Sequence, residues 1–226
     1  MSKSQSKGGL NNPQIFSSNK KVKTSSATSR SAVPSSIKIT DFGRYQIKSG
    51  LIAKRYIARA FVKPPTQVRG VIAEAEGASE NAAISAVRGA IEELNERRST
   101  ERRKDTKTDF FVPCTDEYAE AIISVSLTKP QLAMLSALSL AHEDGLNETQ
   151  LANAAGYKSA QLAHRSLVAI GRSIAKYLSF ELTVVTKPNA LHGSYVVAAC
   201  EHLTNQADLV RWVIYPELRD AIRRVL

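Results

Sequence analysis

The sequence predicts an α+β protein with three parts: a basic amino-terminal arm, a small β-β-β-α module, and a mainly helical carboxy-terminal part. Three observations predict this division. Residues 1–40 are rich in Ser, Lys, Asn and Gly and nearly free of large apolar groups, so they cannot bury enough surface to offset their ordering entropy. Strand-like alternation of apolar residues follows in 41–76. Helical periodicity, with cap signals, dominates after that.

Composition narrows the classes of protein further. The chain has 226 residues, 43% of them hydrophobic, and no apolar run approaches the roughly 20 residues of a membrane helix. The lysines near Met1 are not followed by an apolar stretch, so no secretory signal is expected. Cys114 and Cys200 lie far apart and outside any CxxC pair. We therefore expect a reduced, cytoplasmic protein with both thiols buried.

The net charge of +10 is concentrated in two stretches. Residues 1–50 hold nine Lys or Arg against one acid, and the segment Arg97–Lys107 holds six against two. The remaining residues sum to a small negative charge. The pattern predicts a disordered basic arm at 1–40 and a solvated, flexible basic linker at 97–109, both able to attract nucleic-acid phosphates.

The module at 41–96 is predicted from three apolar runs within Phe42–Glu76, followed by a helix that Ser79 caps. It resembles the double-stranded RNA-binding domain in its Gly77-Ala-Ser79 and Ala82-Ala83 phrases, and departs from that family at Glu80-Asn81, where the family has lysines. A scaffold or dimerisation role is favoured, with RNA binding as an alternative.

The part at 110–226 begins with a lead-in helix predicted at Thr115. A second helix is expected after Thr128-Lys-Pro130, where Pro occupies the first turn. Asn147 and Gln150 form a capping-box pattern for a short third helix, and the glycine of Gly156-Tyr-Lys158 fits the turn that follows. Ser159 then caps a long helix to about Leu178. A short helix, a glycine turn and a long helix form the helix-turn-helix arrangement.

The long helix separates into two sides at 100° per residue. One arc is apolar and is expected to face the core: Ala163, Leu167, Ile170, Ile174, Tyr177 and Leu178. The other carries no acid between Tyr157 and Phe180. Residue types suited to base edges predict a base-reading set of Ser159, Gln161, His164, Arg165 and Val168. Basic types predict phosphate contacts by Lys158, Arg172 and Lys176, joined by linker residues Arg97, Arg98, Arg102, Arg103 and Lys104.

The residues after this helix predict a wing. Leu182–Val185 is a strand pattern, Thr186–Gly193 a turn-rich loop, and Tyr195–Cys200 a returning strand. Lys187 and His192 in the loop are candidate backbone contacts. Another strand at Arg211–Tyr215 and a terminal helix from Pro216 complete the prediction.

The segment from Leu127 to Leu178 resembles the winged helix-turn-helix domains of the MarR-like superfamily, and with the strand-to-helix ending around Trp212, Pro216, Glu217 and Leu218 the resemblance covers about 100 residues. It is closer still to the version that accompanies HNH nucleases in bacterial restriction-type proteins, where the phrase Leu151-Ala-x-x-x-Gly156-Tyr157-Lys158 precedes the recognition helix. The resemblance implies a winged helix close to DNA. The HNH motif itself is absent, because the four histidines are scattered, so nuclease activity is not implied.

No nucleotide-binding, hydrolase or metalloprotease motif occurs, and Glu201-His202 lacks a third metal ligand. We therefore expect no enzyme activity, cofactor or metal. The sequence predicts a double-stranded DNA-binding regulator of a bacterial or mobile-element system, nucleoid-associated and dimeric if its site is palindromic. The alternatives are an accessory factor of a defence or anti-defence system that docks on a protein partner, and an RNA-binding protein.

Overall fold

A computed structural model describes residues 37–64, 70–106, 109–180, 193–202 and 210–226. Within these ranges the protein is mixed α+β, with six α-helices and antiparallel sheets. Two apolar cores are present. One lies under the amino-terminal sheet, and the larger one lies among the carboxy-terminal helices. The predicted α+β class is confirmed.

The first core lies between a four-stranded sheet and one helix. Strands β1 (Lys38–Phe42), β2 (Tyr45–Ile52), β3 (Arg55–Val62) and β4 (Ala73–Gly77) are antiparallel and adjacent in that order. Helix α1 (Glu80–Thr100) covers one face, and the predicted cap at its start is present. Apolar side chains that alternate along the strands meet one side of the helix, as the sequence pattern predicts.

The module has four strands, so the prediction of three is wrong. The Leu51–Val62 run folds into two strands because Ala53 and Lys54 form a tight turn with φ of +50° and +67°. Such φ values are uncommon outside glycine, so the sequence carries no turn signal there. The extra strand β1 begins at Lys38, within the segment assigned to the arm.

The predicted flexible linker at 97–109 is also wrong for the residues described in it. Helix α1 continues to Thr100, and β5 (Arg103–Lys104) pairs with β6 (Phe111–Val112) in a short hairpin. Helix α2 (Thr115–Ser124) follows at the predicted place. The basic residues are ordered because acids of α2 and of the last helix pair with them.

The carboxy-terminal core is built from helices α2, α3 (Lys129–Ala141), α4 (Glu148–Ala155), α5 (Ala160–Leu178) and α6 (Pro216–Val225). The predicted start and stop signals are confirmed. Thr128 caps α3 and Asn147 caps α4, each in a capping box, and Ser159 caps α5. Gly156 ends α4 with φ +70°, the left-handed conformation that favours glycine.

A second sheet stands beside these helices. Strands β7 (Leu146–Asn147), β8 (Ala198–His202) and β9 (Val210–Ile214) are ordered β7-β9-β8. Trp212 of β9 is fully buried, with its ring centroid 5.8 Å from that of His164 on α5. The strand β9 and the helix α6 confirm the last two predicted elements.

The wing prediction needs correction at one point. The expected strand Leu182–Val185 and the loop residues 186–192, with Lys187 and His192, lie outside the described residues. Tyr195 belongs to a short 3-10 turn, and the strand after it begins at Ala198. Strand β8 pairs with β9 in antiparallel fashion, and residues 203–209 between them lie outside the described residues.

The chain crosses α5 very closely just before β8. A Cβ atom on Gly171 would lie 1.6 Å from the carbonyl oxygen of Gly193, and a Cβ atom on Gly193 would lie 2.4 Å from that of Val168. The two backbones can approach this closely only because both residues are glycines, since a Cβ atom at either position would collide with a backbone oxygen. The chain at Gly193 therefore packs directly against the middle of α5.

Gly171→Ala is expected to lower the free energy of unfolding by about 1–3 kcal/mol, because the backbone must move to admit one methyl group. Urea denaturation followed by circular dichroism measures this change. Gly89→Ala is the matched control, since Gly89 lies in α1 and a Cβ there would meet nothing within 4 Å. That variant should be neutral or more stable. Equal stability of the two variants would contradict the close crossing.

Among the helices in these ranges, none is long and apolar enough to span a membrane.

Candidate nucleic-acid interface

Helix α5 is fixed by its apolar side. The residues predicted to face the core do so: Ala163, Leu167, Ile170, Ile174 and Leu178 are buried, and Tyr177 is half-buried. They pack against α2, α4 and the turn before β8. This side determines which residues α5 presents outward.

The outward side of α5 is basic. Gln161, Arg165, Arg172 and Lys176 are exposed, as is Lys158 in the preceding turn. At 100° per residue the four helical positions fall within an arc of about 60°, and Lys158 precedes the helix in the turn. We call this set the cationic face. No acid occurs between Tyr157 and Phe180, so the helix itself does not neutralise it.

The cationic face also lacks partners from other elements. In the described ranges none of its four cations has an ion pair. Most arginines elsewhere do pair with acids: Arg44, Arg55, Arg59, Arg98, Arg102, Arg103, Arg211 and Arg224. Most arginines elsewhere in the described part of the chain are therefore paired, whereas Arg165 and Arg172 of α5 are not.

Two members of the predicted base-reading set do not belong to this face. Val168 is only 8% exposed, because the chain at Gly193 covers it. His164 is half-buried, with Nδ1 2.7 Å from Oε1 of Glu148 and its ring beside Trp212. Val168 is therefore not available to a base edge, whereas His164 is engaged by Glu148 and Trp212 and its base-reading role stays a prediction.

The other three members are accessible at one end of the helix. Ser159, Gln161 and Arg165 are exposed in the first two turns or at the cap, and the Ser159 hydroxyl oxygen accepts a hydrogen bond from the Leu162 amide. Arg172 and Lys176 follow two to three turns later. From Gln161 to Lys176 these residues extend over about 22 Å at 1.5 Å per residue, and the chain at Gly193 lies against α5 at Val168, between the two groups.

The predicted phosphate contacts from the linker are mostly occupied within the protein. Arg98 is buried, with Nη1 2.7 Å from Oε2 of Glu120. Arg102 pairs with Glu117 through two nitrogens, and its guanidinium lies 4.2 Å from the Phe180 ring centroid. The prediction that Arg98 contacts DNA is therefore wrong, and the guanidinium of Arg102 is already paired with Glu117 of α2.

The remaining linker cations lie nearer to solvent. Arg103 pairs with Glu217 of α6 at 2.8 Å, and Lys104 pairs with Asp109 at 2.6 Å. Arg97 is exposed and lies 4.0 Å from Glu101 one helical turn on. These three are less deeply engaged than Arg98, and their contribution to binding stays a prediction.

Sequence reasoning missed a buried polar network behind α5. Glu120 of α2 is 7% exposed. Its Oε1 accepts hydrogen bonds from Arg44 at 2.9 Å, Tyr45 at 3.0 Å and Tyr177 at 2.8 Å. Nη1 of Arg98 donates a hydrogen bond to Oε2 of Glu120. We call these five residues the Glu120 network, and it joins the sheet module to α2 and α5.

The electrostatics of the network favour a charged carboxylate. Burial alone would raise the pKa of Glu120, but the charges of Arg44 and Arg98 and the bonds from Arg98 and Tyr177 lower that pKa overall. Burial and the charge of Glu120 raise the pKa of Tyr177, so its hydroxyl stays protonated and donates. The arginine charges and the hydroxyl donor thus stabilise the charged form of Glu120.

One signal in the sequence could have revealed this network. Glu117 and Glu120 are three residues apart on α2, interleaved with Tyr118, Ala121 and Ile122 on its buried side. Acids at core positions require partners, and the basic run Arg97–Lys107 lies shortly before them. The two charge patterns together would have indicated an internal interface.

Metal-binding residue types and the two cysteines also occur in the described part of the chain. The described residues contain no group of three His, Cys, Asp or Glu placed to hold a metal. Cys114 is buried as predicted, whereas Cys200 is only half-buried, so that part of the prediction is wrong. Burial raises the pKa of both thiols, which makes both poor nucleophiles.

Comparison with known proteins gives no assignment. No family model matches the chain, and no curated protein or solved structure matches it significantly.

Proposed function

We propose that residues 110–226 form a winged helix-turn-helix domain that binds double-stranded DNA with sequence preference. The order of elements supports this proposal. The elements occur along the chain in the order α3, β7, α4, α5, β8 and β9. This helix-strand-helix-helix-strand-strand order is the one expected of a winged helix-turn-helix domain. The four residues from Gly156 to Ser159 make the short turn expected between the two helices of a helix-turn-helix.

The observation that carries the proposal is the cationic face of α5. This exposed helix side concentrates four cations that have no ion pair among the described residues, and DNA supplies a dense array of phosphates. The major groove admits an α-helix. A positive face on an otherwise charge-balanced surface is therefore complementary to the phosphates of a duplex.

The residues along α5 would have two different roles in binding. Gln161 and Arg165, near the amino-terminal end, would contact base edges, since Gln pairs with adenine and Arg with guanine. Lys158, Arg172 and Lys176 would bind phosphates and fix the register. In this proposal the protein is a transcriptional regulator of a bacterial or mobile-element system, working on the nucleoid in the cytoplasm.

Selection of a preferred duplex from random sequences, followed by fluorescence anisotropy over a salt series, tests the proposal. Arg165→Ala is expected to weaken the selected site by about 10- to 100-fold and to leave random duplex nearly unchanged, because a bidentate contact to guanine contributes about 1–3 kcal/mol of discrimination. Arg55→Ala, an exposed arginine of the sheet module, is the control. Equal losses on both duplexes would refute base reading by Arg165.

The same series discriminates the other functions. A domain that docks only on protein would show no salt-dependent DNA binding. An RNA-binding module would prefer duplex RNA in direct competition. The first turn of α1 speaks against the RNA alternative, since it begins with Glu80, whose carboxylate is bonded to Ser49, and no cation lies in that first turn.

A further inference from the structure

Tyr177 is the point where α5 meets the sheet module. Its side chain packs against both apolar cores of the protein. Its hydroxyl donates to Glu120 at 2.8 Å, and the guanidinium of Arg44 lies 5.7 Å from its ring centroid. The carboxy-terminal half of α5 is thus bound to elements outside the helix-turn-helix.

The acceptor for Tyr177 is itself held from the module side. Glu120 is fixed by Arg44 and Tyr45 from the start of β2 and by Arg98 from α1. Arg44 is held in turn by Asn95 of α1 at 3.0 Å. A carboxylate bonded by charged and neutral donors on several elements has little freedom to move.

We propose that the sheet module is a rigid support that sets the angle of α5 on DNA, with Tyr177 and Glu120 as positioning residues. This inference rests on the proposed function. Arg165 lies twelve residues from Tyr177, or about 18 Å along the helix. A tilt of 5° at Tyr177 moves Arg165 by about 1.6 Å over that length, which is enough to break a bidentate contact to a base.

Tyr177→Phe tests the inference because it removes only the hydroxyl and keeps the ring in both cores. The variant is expected to bind the selected duplex about tenfold more weakly, with random-duplex affinity and salt dependence unchanged. Amide hydrogen exchange in the last two turns of α5 should be faster than in the wild type. A purely stabilising role would not change the ratio of selected to random affinity.

Ser49→Ala is the matched control. Ser49 is 2% exposed and donates to Glu80 at 2.8 Å, so the variant also loses one hydroxyl bond to a carboxylate, but within the module. It should leave the affinity ratio and the exchange of α5 unchanged. The same loss of ratio in both variants would overturn the inference.

The two proposals fail in different ways. If the wild-type chain binds no duplex at any salt concentration, the DNA function is overturned, and exchange in the two variants still decides whether the module restrains α5. If the wild type binds but Tyr177→Phe keeps its full affinity ratio, the positioning role is overturned and the DNA function stands.

Discussion

Replacing both Arg165 and Arg172 with glutamate is expected to abolish DNA binding and leave the fold intact. Both side chains are exposed on α5 and have no ion pair in the described part of the chain. The double variant places two negative charges against the polyanionic duplex, so affinity should fall by on the order of 10³-fold at about 0.1 M salt. Thermal unfolding should change little, since neither residue supports the core.

A charge-matched control separates the helix from net charge. Lys48→Glu with Lys54→Glu changes the chain by the same amount on the sheet module, where both side chains are exposed. That variant should keep most of the affinity. If it loses as much as the α5 variant, binding depends on total charge and the cationic face has no special role.

Glu120→Ala is expected to destabilise the protein by about 3–5 kcal/mol at pH 7. The change leaves Arg44 and Arg98 partly or wholly buried and without their carboxylate, and an unpaired buried charge is far costlier than a lost surface pair. Urea denaturation at neutral pH measures the loss. Since domains of this kind have about 5–15 kcal/mol in total, the variant should be near its stability limit. Stability close to that of the wild type would contradict the network.

The pH dependence of this loss follows from the sign of the pKa shift. The pKa of Glu120 is lower in the folded protein than in the unfolded chain, because the charges of Arg44 and Arg98 outweigh burial. Its stabilisation is therefore complete above the unfolded pKa and is lost as pH falls through the folded pKa. The stability difference between wild type and Glu120→Gln should shrink below about pH 4. A constant difference down to pH 3 would contradict the assignment.

Features decided within a few residues could be predicted from the sequence. Thr128, Asn147 and Ser159 were expected to cap helices, and they do, because each cap bonds a backbone amide three residues on. The apolar side of α5 followed from helical spacing alone. These local signals place Gln161 and Arg165 on the outward side without any knowledge of the tertiary structure.

Features that depend on distant residues could not be predicted. Val168 has the right position on the helix for exposure, yet the chain 25 residues later covers it at Gly193. The sequence around Arg98 predicts a solvated linker residue, whereas in the structure Arg98 is paired with Glu120 of α2. The Ala53-Lys54 turn lacks the glycine or asparagine that usually marks it.

The burial of Trp212 gives the protein a built-in optical probe. It is the sole tryptophan of the chain, and its indole N–H has no hydrogen-bond partner among the residues described. Its emission should therefore lie toward the blue. Because its ring stands 5.8 Å from that of His164 on α5, a ligand that shifts this helix should change the fluorescence of the unmodified protein. Titrations can then follow binding without a dye or a tag.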